Sequence, residues 1–542
     1  MTDFSASLAG RRLAPWPVPP LDGVPPHPDQ YQVIVIGAGI GGLSAAALLA
    51  ARGCRVLVLE AHRTVGGNCV SWQRAVTVDG RKLRFVFDSG VQDISGLGPR
   101  GPLRNLLRQL KALDRLVWHP VRHAYCKEGM WLDGAQGVPR FIENYCCLFP
   151  DEAANIRAFF AEMAAIYHDM YAEVDQTGGV PVPPAAAGVM AWAARHPHAF
   201  GWMKQPFDDM LAAYFTSEPL KQMLRTVSEY ITDDPHLLLV EDMAPLFGYY
   251  FDGGCYPGGG AQQLANLLAD LFQARGGTLK CRQPVARILT ACGQAVGVET
   301  KDGQIFHAPV IISNADAVAT LTQLADPALL PKHYRTNLMA MGRGPSAFLL
   351  SLGLSTVMDV PERIFVKQNG LEFGIGNPGV HDATLASPGY SAVTLLCLLS
   401  EGASQPWLTR GPGYDADKRA FADRLIDAAA TAVMPDLRRH IVYREAATPA
   451  SFAAYTGALG GNIYGAARGG WRPSLRSPLP GLFLVGGGTE AGAGIEAVVV
   501  SATRAADTIC PPLKARILQL PENDRGVDAT EGKIVRHQIF GV

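Results

Sequence analysis

The stretch Val33-Ile34-Val35-Ile36-Gly37-Ala38-Gly39-Ile40-Gly41-Gly42 joins a short β-branched apolar run to a glycine-rich turn. The run has no polar alternation, so it reads as a parallel strand buried on both faces. Leu43 to Ala51 follow as an alanine-rich helix, and Gly53 stands where a C-terminal cap belongs. Arg55 to Leu59 is a second strand, ending at Glu60. The whole is one βαβ unit with G-x-G-x-x-G between strand and helix. Gly37 permits the tight turn, Gly39 lets the backbone approach a pyrophosphate, and Gly42 lets helix and strand pack closely. The helix N-terminus offers free N–H groups to the anion. Glu60, roughly 20 residues further on, suits hydrogen bonds from ribose hydroxyls. The expectation is a dinucleotide-binding unit beginning near residue 31.

Around this unit the chain changes character several times. Residues 1–30 carry Pro15, Pro17, Pro19, Pro20, Pro25, Pro26 and Pro28 and read as an extended leader. The region of about 105–245 has long helical patterns, such as Asp151–Tyr171 and Phe207–Thr226. Strand signals return at Val285–Ile288, Ala295–Thr300 and Val310–Ser313. A last strand, Leu482–Val485, enters a glycine loop that leads into a helix, Gly494–Ile509. The tail beyond Pro512 is charged and aperiodic.

Composition narrows the partners. The chain has 542 residues, 48% of them hydrophobic and 18% charged, room enough for two or three domains. Its 48 basic and 49 acidic side chains leave a formal net charge of -1. That gives no basic excess with which to neutralise nucleic-acid phosphates. The mean hydropathy of +0.09 fits a greasy substrate or a membrane surface. Among the ten cysteines only Cys146 and Cys147 are close in sequence, with no CxxC or Cys/His spacing, so no metal site is expected. A disulfide framework does not fit either, and the thiols read as reduced. Met1-Thr2-Asp3-Phe4 lacks the start of a signal peptide, and no apolar run of roughly 18 residues exists to span a bilayer.

Further motifs carry a resemblance. After Glu60 comes Ala61-His62-Arg63-Thr64-Val65-Gly66-Gly67-Asn68, and near the C-terminus Gly481-Leu482-Phe483-Leu484-Val485-Gly486-Gly487-Gly488-Thr489 precedes Gly492-Ala493-Gly494. Both stretches resemble the flavoprotein superfamily of amine oxidases and carotenoid desaturases. Phe87-Asp88-Ser89-Gly90 looks like the FDxG motif of phytoene desaturases, carotenoid cis-trans isomerases and retinol saturases. Tyr256-Pro257-Gly258-Gly259-Gly260 is similar to their YPxGG loop, and Ser313-Asn314-Ala315-Asp316 to their SNAD segment. Asp382 to Gly389 resembles DPxLAPPG, while Thr448-Pro449 and Tyr464-Gly465 sit where that family has TP and YG. The matches fall in the family's order across about 31–510.

The resemblance implies an α/β fold: a Rossmann-like, doubly wound FAD-binding domain with an inserted mixed α+β substrate domain. The FAD domain would comprise 31–105, 250–325 and 440–512, and the substrate or membrane-facing domain 106–249 and 326–439. The leader 1–30 and the tail 513–542 lie outside both. Non-covalent FAD would be held by Gly37, Gly39, Gly41, Gly42, Glu60, Ala61, Arg63, Gly66, Gly67, Asn68, Asp88, Val285, Gly486, Gly487, Gly494 and Ile495. The Gly66-Gly67 loop would pass along the diphosphate and ribityl chain. The loop at 486–494 would lie by the N1/C2=O edge of the flavin. Gly254-Cys255-Tyr256 superficially resembles a flavin-attaching cysteine peptide, but it stands in the YPxGG loop and not ahead of the final strand.

The implied reaction is desaturation, saturation or cis-trans isomerisation of a long apolar polyene or isoprenoid by hydride exchange at flavin N5. Electrons would pass to an acceptor such as O2 or a quinone. Glu490 and Glu496 depart from the family, which often has His or Phe, then Pro, at 490–491 and an uncharged residue near 496. They are the candidate proton-handling, catalytic groups, against a loop-ordering role for Glu490 and a capping or solvent-facing one for Glu496. Trp192, Phe200, Trp202 and Met203, among Arg195, His196, His198 and Lys204, read as either an interfacial segment or a helical lid. The expected location is cytoplasmic, peripheral on the inner face of the cell membrane. An amine or amino-acid oxidase on the same scaffold needs an aromatic cage or a carboxylate-binding Arg, and neither is placed by the sequence. A non-catalytic flavin-bound isoprenoid carrier is the alternative from another class.

Overall fold

Val33–Ile36 and Val56–Leu59 are buried at every position, as unbroken apolar strands must be when both faces of a sheet are covered. The computed structural model describes residues 31–134 and 137–511, so the proline-rich leader and the charged tail lie outside the described residues. The two strands pair in parallel at the centre of a five-stranded sheet. Its order is Leu482–Leu484, Val310–Ser313, Val33–Ile36, Val56–Leu59, Thr278–Lys280.

Alternate side chains of these strands feed two cores. Val33, Val35, Val56 and Val58 face the helices Ile40–Ala51, Gln262–Gln273 and Ile495–Ile509. Ile34, Ile36, Leu57 and Leu59 face the other way, where Ile288, Val298 and Phe306 come from a small antiparallel sheet. That sheet consists of Val285–Ala291, Gln294–Thr300 and Ile305–His307. Residues 31–36 therefore stand at the centre of a three-layer unit assembled from three distant parts of the chain.

A seven-stranded mixed sheet forms the second unit. Its order is Ile441–Ala447, Ser346–Leu354, Ser391–Leu399, Leu371–Gly376, Arg363–Gln368, His123–Lys127, Met130–Asp133. Helix Tyr414–Ala432 packs Leu425, Ile426 and Ala429 on one face of it. Helices Ala153–Tyr171 and Val240–Phe251 bury Phe159, Phe160, Met243 and Phe247 in a separate aromatic core.

Three sequence boundaries shift. Phe207–Thr226 is not one helix but two, Phe207–Tyr214 and Glu218–Arg225. Ser217 caps the second by accepting from the Leu220 N–H, and Pro219 has no N–H to continue the first. Strand Ile441–Ala447 pairs with Ser346–Leu354, so the cut at 440 falls one strand early. Leu338 of helix Lys332–Ala340 packs under the five-stranded sheet, so the cut at 325 falls one helix early.

Candidate functional site

Parallel sheets bind ligands beyond the carboxyl ends of their strands, and four strands here end at one cavity. Gly37, Glu60, Asn314 and Gly486, each at or just past such an end, line a space of ≈ 1670 Å³. The space continues past Ser89–Asp93 and Glu496 to Met170, Tyr171, Trp192, Tyr230, Leu246 and Arg363 of the second unit.

The glycine turn is tight because nothing larger fits. Gly37 has φ of +90°, and a Cβ on Gly42 would lie 2.2 Å from the Gly37 carbonyl oxygen. A Cβ on Gly39 would approach Asn314 Nδ2 to 2.6 Å, and one on Gly41 would approach its Oδ1 equally closely. The helix that follows has no side-chain cap, so its first N–H groups stay available at the cavity. Glu60 is 8% exposed. Its Oε2 accepts from the Ala38 N–H at 2.7 Å and its Oε1 from the His62 N–H at 2.8 Å, which ties the second strand to the glycine turn. Gly66 N–H donates to the Ala38 carbonyl at 2.8 Å and brings the Gly66-Gly67 loop alongside.

The cavity gathers most of the expected residues: Gly37, Gly39, Gly41, Glu60, Ala61, Gly66, Gly67, Asn68, Val285, Gly486, Gly487, Gly494 and Ile495. Three stand elsewhere. Gly42 is a packing glycine against Val35 and Gly37. Arg63 is exposed and is not part of the cavity wall. Asp88 is buried behind the wall, where its carboxylate accepts from the Tyr256 and Ser71 hydroxyls and from the Ala261 N–H. Burial pushes it up to about 6 against the opposing pull of the Ser71 and Tyr256 donors. Asp88 therefore clasps the YPxGG loop instead of facing a ligand, because the strand Arg81–Asp88 delivers it to that loop.

The two candidate carboxylates differ in their surroundings. Glu490 borders the cavity but is exposed, which removes the desolvation that a proton-handling role would draw on. Glu496, in the first turn of helix Ile495–Ile509, accepts from the Ser95 hydroxyl at 2.7 Å and the Tyr171 hydroxyl at 2.5 Å. Burial, reinforced by Asp252, raises its pKa above the ordinary carboxylate range despite those two donors. Glu496 thus lines the cavity held by two hydroxyl donors and does not merely cap the helix.

Several wall residues escaped the sequence reading. Asn314 belongs to the Ser313–Asp316 motif, but only the fold shows it wedged among Gly39, Gly41 and Gly486. His62 lines the cavity where Arg63 was expected, its ring stacked on Tyr455 at 4.3 Å between centroids. Arg363 and Tyr230 come from unremarkable sequence. Cys255 does not border the cavity, whereas Cys69 does, and Cys69 donates its thiol to the Ala261 carbonyl at 3.3 Å. Among the described residues no cluster of metal-binding side chains occurs.

Comparison with known proteins agrees with this architecture. The family model described as flavin containing amine oxidoreductase matches residues 40–510. The chain is 26% identical to prolycopene isomerase 1 of an Oncidium hybrid cultivar, over 90% of this chain and 84% of that one. It is 26% identical to the lycopene-forming phytoene desaturase of Pseudescherichia vulneris, over 89% of this chain and 100% of that one. In fold it is similar to a solved oxidoreductase from Methanosarcina mazei, with a TM-score of 0.60 and 17% identity over 88% of this chain and 100% of that one. With the family model matched over residues 40–510, and the glycine turn, the Glu60 carboxylate and the C-terminal glycine loop on one cavity, the chain belongs to the flavin-containing amine oxidoreductase family and is a flavin-dependent oxidoreductase.

Proposed function

We propose that the protein holds FAD non-covalently and changes a carbon–carbon bond of a long apolar polyene by desaturation, saturation or cis-trans isomerisation. The observation that carries this reading is the single cavity running from the glycine turn past Glu496 into an aromatic and aliphatic wall. The residues fit an extended anionic dinucleotide: glycines that a Cβ would foul, two helix N-termini without side-chain caps, and a carboxylate at a strand end. Glu60 would orient the ribose, Gly37–Gly41 the diphosphate, and Gly486-Gly487 with Gly494 the flavin end. The high thiol pKa of buried Cys69 disfavours attachment through sulfur.

When bound, FAD supplies hydride exchange at its N5. The chain's own part is to keep water out with Trp192, Ile231 and Leu246, to orient the polyene, and to hold a proton on Glu496. The names of the similar isomerase and desaturase support the polyene class. Anaerobic incubation of the flavin-loaded protein with a polyene panel, followed by product analysis, tests the reading. A polyene altered at one C–C bond supports it. Reduction of the flavin by amines with every polyene untouched would replace it with an amine oxidase, and bound but unaltered polyenes would favour a carrier.

Of the aromatic residues expected to face lipid, Phe200 is exposed and Trp192 is buried. Trp192 is 8% exposed, packs on His196 and cannot reach a bilayer. Arg195 and Lys204 are paired with Glu173 and Glu241. Val182 at 45%, Met190 at 75% and Phe200 at 46% exposure are the large apolar side chains that stand out in this segment. No helix among the described residues is long and apolar enough to cross a membrane. Peripheral attachment through this patch predicts that Met190→Ser with Phe200→Ser weakens liposome co-sedimentation roughly tenfold, from lost apolar burial. Unchanged sedimentation would assign the segment to a plain lid.

A further inference from the structure

Arg363 opens the strand Arg363–Gln368 and is 4% exposed, yet its Nε and Nη1 find no acceptor. The acids whose charges reach it make their hydrogen bonds elsewhere, although one Asp93 oxygen, Oδ1, also lacks a partner. Glu229 pairs with Lys127 at 2.8 Å, while Asp93 accepts from His123 at 2.5 Å and from the Tyr230 hydroxyl at 2.8 Å. Aromatic faces partly compensate: the guanidinium carbon lies 4.1 Å from the Phe365 ring centroid and 5.4 Å from that of Tyr230. The slot is shaped for this group, because a Cβ on Gly374 would lie 1.7 Å from Nη1. Such a buried cation without a carboxylate partner is costly in the fold alone.

Arg363 is also part of the cavity wall, with Tyr249, Leu396, Ile463 and Tyr464 nearby on the same wall. The Tyr464 hydroxyl donates to the Glu229 carbonyl at 3.0 Å and so is already engaged. Arg363 is thus one of three arginines on the cavity, with Arg472 and Arg504, that carry a buried donor without an acceptor, and it is charged at any working pH. Its planar fork matches a carboxylate, and a single cation amid rings and aliphatics suits a single negative charge on an apolar body. A dianionic phosphate would sit badly beside the Asp93 carboxylate.

We infer that Arg363 is the anchor for a terminal carboxylate on the substrate, which makes the polyene an acid instead of a plain hydrocarbon. This rests on the polyene reading above and narrows it. No bond changes at this end; the carboxylate sets how far the chain slides past Glu496 and so which bond is presented.

Parinaric acid, a linear tetraenoic acid, and its methyl ester provide the test, with binding to the flavin-loaded protein followed by the polyene's fluorescence anisotropy. The acid should bind at least about tenfold more tightly than the ester, and Arg363→Gln should erase that preference, as expected for loss of a charge-assisted pair. Arg363→Met should melt no lower than the parent without ligand, because it removes an unpaired buried charge. This readout separates an anchor from a strut that the fold needs, and it stands even if the Gln variant purifies poorly. Equal binding of acid and ester, or acid binding unmoved by Arg363→Gln, would overturn the inference and leave the polyene reading standing. A lower melting temperature for Arg363→Met would also overturn it. Failure of both probes to bind, with the flavin in place, would overturn the polyene reading and this inference together.

Discussion

Glu60→Arg should leave the purified protein nearly free of FAD, with affinity reduced by roughly a hundredfold or more. Two backbone N–H groups, of Ala38 and His62, end on the Glu60 carboxylate at 2.7 and 2.8 Å. An arginine there accepts neither bond, orphans both donors beside a buried position, and puts a cation where the proposed ribose hydroxyls would need an acceptor. The glycine turn loses its tie to the second strand at the same moment. Flavin absorbance relative to protein absorbance reads the result directly. Glu496→Gln is the matched control, since it leaves the Ala38 and His62 bonds to Glu60 untouched and should keep its FAD. Equal flavin content in the two variants would show that the ribose end lies elsewhere.

The same control carries the second large effect. Glu496→Gln retains the acceptor for Ser95 and the shape of the side chain but cannot exchange a proton. Turnover should fall by roughly a hundredfold, the ordinary loss for a general acid or base. The wild-type pH profile should carry a limb above the normal carboxylate range, because burial raises the Glu496 pKa. In the dehydrogenating direction the carboxylate must take the proton, so the rate falls as pH drops through that pKa. In the hydrogenating direction the limb inverts, and in both cases Glu496→Gln abolishes it. Stability follows the same linkage. A raised folded pKa means that the stabilising contribution is present below the unfolded value and lost as pH rises through the folded one. Glutamine imitates the protonated form, so the variant should gain on the parent in melting temperature as pH rises. A flat comparison across pH with normal turnover would remove Glu496 from the chemistry.

What the sequence disclosed follows from where physical constraint is local. The glycine turn, its flanking strands and Glu60 lie within one βαβ unit, where steric demands fall on neighbouring residues and leave a readable spacing. Asp88 shows the limit. Its motif was visible, but its partners Tyr256 and Ala261 come from a distant loop, and only the fold reveals that it clasps that loop from behind the wall. Glu490 and Glu496 stand six positions apart in similar surroundings, and exposure, which a sequence does not carry, decides between them. Arg363 is the extreme case: its meaning lies in acceptors it does not have. The boundaries at 325 and 440 slipped because a helix and a strand joined sheets distant in sequence.

The proposed dinucleotide would lie in the cavity between the glycine turn and the C-terminal glycine loop. Denaturing the purified yellow protein in acid and chromatographing the supernatant tests it most directly. The expected result is free FAD, not FMN, at about one per chain, with a colourless precipitate. A protein that is colourless and takes up no FAD would contradict the account at its centre, and flavin retained in the precipitate would contradict the non-covalent attachment.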